Sequence, residues 1–419
     1  MSNHVRDMRA MAQRLYGCAI AAADPALAVR RHFQRHPDPD DGGRSHLVAI
    51  GKAAPAMLAE AMNHVRNPVS ALAVTHRGNE ATVPGAVVLT AGHPDPDEDG
   101  LEASRRIMAL LASATGPHDR VYALISGGGS ALVPAPRAPL TLQDKQAVTA
   151  ILLASGLDIS AMNLVRQQLS ELKGGGLLRH AAPAAVVGLI LSDVIGDDLA
   201  AVASGPTSPP LGDRQAARAL LSGTGLLQDL PLPVRDLLST PAEPDPVPQA
   251  RNYLVGSNVI SLRAMRDAIA PGWAGRIVSD QLVGDVADAA ERIVSAARQA
   301  PPDRPTALIF GGETTVTLRG DGKGGRNQEL ALRVALGMRG WSGLWTFMSA
   351  GTDGRDGPTD AAGAIVDPGT LDRIAAAGLD VQSLLANNDS HACLSAANDL
   401  LVTGASGTNV ADVQVMLIN

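Results

Sequence analysis

Short, uninterrupted apolar runs alternate with helical stretches along most of this chain, and many of the runs end in a glycine-rich loop. Residues 46–50 lead into Gly51-Lys52, and 121–125 into Ser126-Gly127-Gly128-Gly129-Ser130. Residues 185–191 lead into Ser192-Asp193, 306–310 into Gly311-Gly312-Glu313, and 344–348 into Ala350-Gly351-Thr352-Asp353. A strand that is apolar throughout must be covered on both faces, and helices between such strands supply that cover in a mostly parallel sheet. Further strands are expected at 71–75, 86–90, 251–255, 275–278, 314–318 and 364–366. Helices are expected at 53–65, 101–112, 142–155, 161–172, 257–270, 284–300 and 328–338. Before the first strand, Val5, Met8, Ala12, Leu15, Ala19 and Ala22 recur at helical spacing, and Asp24-Pro25 caps and opens a second helix.

A length of 419 residues suggests two domains. The stretch 226–248 holds six prolines and reads as the connection between them, placing the boundary near residue 240, with domains 1–240 and 241–419. A formal charge of −7 argues against a nucleic-acid binder, which needs a concentrated basic face. Three each of Trp, Tyr and Phe are too few for base-stacking platforms or membrane aromatic belts. The longest uncharged apolar run, 181–191, is far short of the ~20 residues of a membrane helix. The first 17 residues carry Arg6, Asp7, Arg9 and Arg14 with no apolar h-region, unlike a secretory signal. Cys18 and Cys393 read as two reduced thiols, and a cytoplasmic protein is expected.

The chemistry is expected in the loops. Ser126, Gly127, Gly128, Gly129 and Ser130 leave backbone N–H groups uncovered at a strand's carboxyl end, a nest suited to a phosphate or carboxylate. Lys52 begins a helix, where a cation opposes the helix dipole unless it meets an anion. Asp193 is the first carboxylate after its strand, a position for a metal ligand or general base. Lys173 adds a cation beside Gly174-Gly175-Gly176. Gly320, Gly322 and Gly325 satisfy GxGxxG, but the acidic partner of a dinucleotide site is missing at the usual distance. Arg326 follows that loop, placed to clamp phosphate oxygens. Residues 350–360 pack Asp353, Asp356 and Asp360 with Thr352, and such oxygens suit Mg²⁺ more than Ca²⁺. Among the histidines, His93 alone sits in a turn of chemical interest. There is no GxSxG.

Taken in order, these loops resemble the glycerate 2-kinases whose C-terminal half is called the MOFRL domain. The resemblance rests on Ala23-Asp24-Pro25, Ile50-Gly51-Lys52-Ala53, Ala91-Gly92-His93-Pro94-Asp95-Pro96, 124–131, 163–176 and 191–197. In the second half it rests on Gly311-Gly312-Glu313-Thr314-Thr315, 324–329, 351–357 with 360–363, and 403–412. It implies a Rossmann-like N-terminal domain with a parallel sheet, a C-terminal α/β domain, and an active site in the interdomain cleft. It also implies ATP- and Mg²⁺-dependent phosphorylation of D-glycerate at the 2-hydroxyl, by a monomer or homodimer. The family's lysine falls on Lys52 and its arginine on Arg326. Asp193 is expected to serve Mg²⁺ or the attacking hydroxyl, with Asp353 a second metal candidate. Lys173, Glu313, Asn327, Thr352 and Asp353 complete the expected substrate and nucleotide contacts. The alternatives are a nicotinamide-dependent hydroxypyruvate reductase and a non-catalytic sugar-phosphate-binding regulator.

Overall fold

The apolar runs of the first half become β1 (Ser45–Ile50), β2 (Pro68–His76), β3 (Val87–Ala91), β4 (Arg120–Ser126), β5 (Ala185–Leu191) and β6 (Arg251–Gly256). They form one sheet in the order β3-β2-β1-β4-β5-β6. The computed structural model describes residues 3–241, 246–301 and 304–419. β2 and β4 flank β1 in parallel, and β3 and β5 continue the parallel pairing outward. β1 is buried along its whole length, and β4 from its second residue. Strand order reverses between β1 and β4. At such a switch point the two chains leave the sheet in opposite directions and open a crevice beyond their carboxyl ends.

The second sheet is mixed. Its strands are β7 (Ala274–Ser279), β9 (Thr306–Gly312), β11 (Trp345–Gly351), β12 (Gly363–Val366), β13 (Leu400–Leu401) and β14 (Asp412–Ile418), in the order β13-β12-β11-β14-β9-β7. β7 pairs parallel with β9, and the other pairings are antiparallel. β14 lies at the centre although the sequence reading does not anticipate it. Val413, Val415 and Leu417 enter one hydrophobic cluster, and Met416 and Ile418 the cluster on the opposite face. The expected strand at 314–318 is reduced to β10 (Thr314–Thr315), paired with β8 (Gly284–Asp285).

The chain divides into two compact units, Pro25–Val255 and Met1–Asp24 with Gly256–Asn419. This differs from the contiguous 1–240 and 241–419 expected from the proline-rich stretch. The first helix, Asn3–Ala23, buries its whole predicted stripe, and Met8, Ala12, Leu15 and Ala19 of it pack in one cluster with Leu262 and with Ile309 and Val415 of the second sheet. Tyr16 donates to the Gly351 carbonyl at 2.8 Å, and Arg9 pairs with Asp367 at 2.7 Å. The boundary shifts because β6 still belongs to the first sheet. The supposed connection also holds a helix, Leu232–Ser239. Pro231 and Pro233 are tolerated at its start, where an N–H is not needed. Val234, Leu237 and Leu238 pack with Leu152 and Val165 in a separate helical core. Of the prolines counted there, Pro244 lies outside the described residues.

Candidate active site

At the β1–β4 switch point the backbone turns of both strands interlock. Gly51 holds φ +126°, a region L side chains avoid, and a Cβ there would strike the hydroxyl and carbonyl of Ser126. The Lys52 N–H donates to the Gly127 carbonyl at 2.9 Å, and the Ala53 N–H to the Ser126 hydroxyl at 3.1 Å. Asn79 Nδ2 donates to the Lys52 carbonyl at 2.7 Å. The Lys52 backbone is therefore fixed while its side chain stays exposed at the entrance to the helix Ala54–Met62.

Three groups converge on the glycine loop. The Asp193 carboxylate lies against Gly127, leaving no room for a Cβ. The Lys52 stem and the His93 ring lie over Gly128, each 3.1–3.2 Å from where a Cβ would stand. Gly128 has φ +85° and precedes the short helix Gly129–Leu132. Burial raises the Asp193 carboxyl above its ordinary range, against its own backbone hydrogen bond and the Lys52 charge. Burial lowers His93, and so do the charges of Lys52 and His76, whose ring is 6.4 Å away. The arrangement disfavours the charged form of both histidines and sets a lysine and a carboxylate at the glycine loop.

A second layer holds that nest. Ser130 Oγ and Ser204 Oγ are 2.7 Å apart, and Ser204 donates to Asn163 Oδ1 at 2.9 Å. Ala203 and Ser204 both take positive φ, at 51° and 61°, strained positions for residues with a Cβ. Lys173 is buried beneath the loop and donates from Nζ to the Ser130 and Val133 carbonyls, each at 3.0 Å. Burial first, and then the Arg166 charge, push its amine down to about 7. Lys173 thus shapes the loop from behind, in place of the direct ligand contact expected of it.

In the other unit, Arg326 opens the helix Arg326–Gly337 and is clamped by carboxylates. Its Nε and Nη2 donate to Asp412 at 2.6 and 3.0 Å, and Nη1 lies 2.9 Å from Glu313. Asp412 is fully buried and Glu313 exposed. Burial acts to lower the Arg326 pKa, but Asp412, Glu313 and Asp356 raise it overall. Asp356 caps the same helix, accepting from the Asn327 and Gln328 N–H groups at 3.0 and 2.9 Å. Asn327 is turned inward, donating to Asp356 and accepting from Ser349 at 2.5 Å. Thr352 is likewise buried, its hydroxyl donating to the Ala411 carbonyl at 2.6 Å. These two side chains are engaged within the protein, unlike the ligand contacts expected of them. Asp353 stays partly exposed and accepts the Arg355 N–H at 3.0 Å.

The GxGxxG glycines have a packing reason. Cβ atoms at Gly320 and Gly322 would strike Asn387, and one at Gly325 would strike Asp356. Asn388 Oδ1 accepts the Arg319 and Gly320 N–H groups at 2.7 and 3.1 Å. Ten residues separate β10 from the following helix, so the tight strand-to-helix turn of a dinucleotide fingerprint is absent. A groove of about 830 Å³ in this unit, lined by Glu291, Glu329 and Arg333 among others, includes none of the candidate residues.

Sequence profiles match this chain over most of its length. The profile described as Domain of unknown function (DUF4147) matches residues 11–239, and the MOFRL family profile residues 306–412. A D-glycerate 2-kinase of Thermotoga maritima is 38% identical over 380 residues, covering 89% of this chain and 90% of its own. The chain belongs to the glycerate kinase family. A solved glycerate kinase structure from Thermotoga maritima superposes with a TM-score of 0.92 at 35% identity, covering 99% of this chain and all of the other. A relative from Agrobacterium vitis is 39% identical over 424 residues, 98% of this chain and 94% of its own, and bears hydroxypyruvate reductase as a provisional name.

Sequence reading singled out Lys52, Asp193 and the glycine loop because each lies a few residues beyond an apolar run. It missed Asp412, Ser204 and Asn163 as working parts, because their partners are distant in sequence, and it read Asp356 as a Mg²⁺-type oxygen where the structure makes it the cap of the Arg326–Gly337 helix. No cluster of three or more metal-binding side chains exists among the described residues. Mg²⁺ needs no such cluster, being held by one or two carboxylates together with phosphate oxygens and water. Asp193, a carboxylate against the glycine loop beside Lys52, fits that donor set.

Proposed function

We propose that this glycerate kinase family member transfers the γ-phosphoryl group of ATP to the 2-hydroxyl of D-glycerate, giving 2-phosphoglycerate and ADP. The observation that carries the reading is Lys52 and Asp193 meeting at the glycine loop 127–129, just beyond the carboxyl end of β4 at the β1–β4 switch point. Phosphoryl transfer asks for positioning, cations and a hydroxyl-orienting carboxylate more than for covalent chemistry. In this reading the N–H groups of 127–129 hold phosphate oxygens. Lys52 neutralises charge that spreads over the transferring group. The Asp193 carboxylate, raised by burial, accepts the hydroxyl proton or holds Mg²⁺. Mg²⁺ would supply charge neutralisation for the phosphates, with Asp193 the residue that would hold it in this unit and Asp353 a separate candidate in the other. Arg326, held by Asp412, is proposed as the phosphate-binding cation of the second unit. Localisation in the cytoplasm accompanies this reading, and no helix among the described residues is long and apolar enough to cross a membrane.

The reductase alternative rested on the GxGxxG stretch, whose glycines pack against 387–389 and Asp356. The test is ADP release that depends on D-glycerate. Lys52→Ala and Arg326→Ala should each lower kcat by roughly 10²–10³. Near-normal kcat in both variants would refute the cation roles. NADH consumption with hydroxypyruvate, without any ADP release, would refute the kinase.

A further inference from the structure

Behind the glycine loop lies a group of cations with little to balance it. Lys145 and Lys173 are buried, and Arg166 is half-buried on the same side of the unit. Arg166 acts electrostatically on both lysines, and Arg137 on Lys145. Among the described residues Lys145 Nζ reaches only the Leu169 carbonyl, at 3.4 Å, and Lys173 is spent on the Ser130 and Val133 carbonyls. Glu171 stands 3.9 Å from Arg137 and 3.7 Å from His180. Among the described residues, Arg166 has neither a hydrogen bond nor an ion pair, although burial already disfavours its charge. A half-buried guanidinium without a partner is costly, and proteins rarely leave one so.

Its placement gives that cost a purpose. Arg166 lies three residues after Asn163 on the helix Ile159–Gln168, so the two share a face. Asn163 accepts from Ser204, which touches Ser130, while the Asn163 Nδ2 is buried with no partner. Gln167, next on that face, donates to the Ser204 carbonyl at 3.2 Å and helps hold the strained backbone there. Arg166 thus carries unused donors on the helix face whose Asn163 reaches Ser130 through Ser204, and it acts electrostatically on Lys173, which holds the Ser130 carbonyl. Lys52 and Asp193 lie at the Gly127–Gly128 part of the loop.

We infer that Arg166, supported by Asn163 and Ser130, receives the carboxylate of the acceptor substrate. The inference rests on the kinase reading above. Glycerate carries its single negative charge on the carbon next to the reacting hydroxyl. A residue fixing that charge also fixes the hydroxyl, and a planar fork matches a carboxylate in two hydrogen bonds. The nucleotide's phosphates have the backbone nest and Lys52; the unpaired fork is left for the acceptor.

The experiment compares the purified full chain with Arg166→Met and Arg166→Lys, using D-glycerate and its uncharged amide, glyceramide, as acceptors. Thermal melting and circular dichroism establish that each variant is folded. Arg166→Met should raise the KM for D-glycerate roughly 10- to 100-fold, with the KM for ATP unchanged. It should leave the poor use of glyceramide as it is in the native chain, so that discrimination between the two collapses. Arg166→Lys should recover part of the loss. An equal rise in the KM for ATP would assign Arg166 to phosphate and overturn the inference. So would a parallel loss on both acceptors, an unchanged KM, or an Arg166→Met chain that does not fold while Arg166→Lys behaves as native. A native chain inactive on D-glycerate would instead remove the kinase reading itself.

Discussion

Asp193 and Lys173 show how single residues near the loop are tuned. Burial holds the Asp193 carboxyl protonated to a higher pH than an ordinary aspartate, so turnover should fall on the acid side as it takes up its proton. Asp193→Asn should lower kcat by two or more orders of magnitude, about the loss expected of a positioned proton acceptor, and flatten that acid limb. A pH–rate profile with the native limb intact would contradict the assignment. Lys173 has its amine pushed down to about 7, while the unfolded chain keeps that proton to about 10.5. Between those values the unfolded state binds more protons, so stability rises with pH across that window. The cost of burying this lysine is greatest below about pH 7. Lys173→Met should therefore show a shallower rise in urea midpoint from pH 7 to 10 than the native chain, and equal slopes would contradict it. Lys52 and Asp193 stood out in the sequence because each lies just beyond an apolar run, β1 and β5, the strands that flank β4 in the sheet. The clamp on Arg326 was not legible, because Asp412 stands 86 residues away and its reach is created only by the pairing of β14 with β9.

Elements were easiest to read where their pattern was local. The stripe from Val5 to Ala22 is buried as its spacing requires, and Asp24-Pro25 does separate two helices. Nothing in the stripe says which sheet it covers. That choice is made by Leu262, Ile309 and Val415, and by the hydrogen bond from Ser261 to the Ala19 carbonyl at 2.8 Å. Leu15→Ala should destabilise the second unit by about 2–5 kcal/mol, as deletion of a fully buried leucine does, seen as a lower unfolding midpoint for a tryptophan signal from Trp345. An unchanged midpoint would mean the helix contributes little to that sheet. The helix Leu232–Ser239 was hidden because its prolines were counted as linker, although two of them sit where a helix begins. The central strand β14 was hidden by Asp412 and Gln414, polar residues buried in an otherwise apolar strand.

On the scale of the whole chain, one unit is inserted into the other. The second unit leaves off at Asp24 and resumes at Gly256. Within it, Thr408 donates to the Ala23 carbonyl at 2.6 Å, and Asn258 donates to the Val410 carbonyl at 2.8 Å, so the two ends meet the same loop. Joining Asp24 to Gly256 through a short Gly-Ser linker should therefore give a cooperatively folding protein without kinase activity. A chain of 241–419 alone should expose the face that the first helix covers and fail to fold cooperatively. The reverse result would restore a boundary near residue 240. The apolar alternation made an α/β protein legible from the start, yet the insertion was not, because linear order records no packing.

The central claim is phosphorylation at the 2-hydroxyl. It is tested most directly by incubating the full chain with D-glycerate, ATP and Mg²⁺ and following the products by phosphorus NMR. The account predicts a 2-phosphoglycerate signal growing in step with ADP. A 3-phosphoglycerate signal would contradict the position of attack, and no phosphorylated acceptor at all would contradict the kinase.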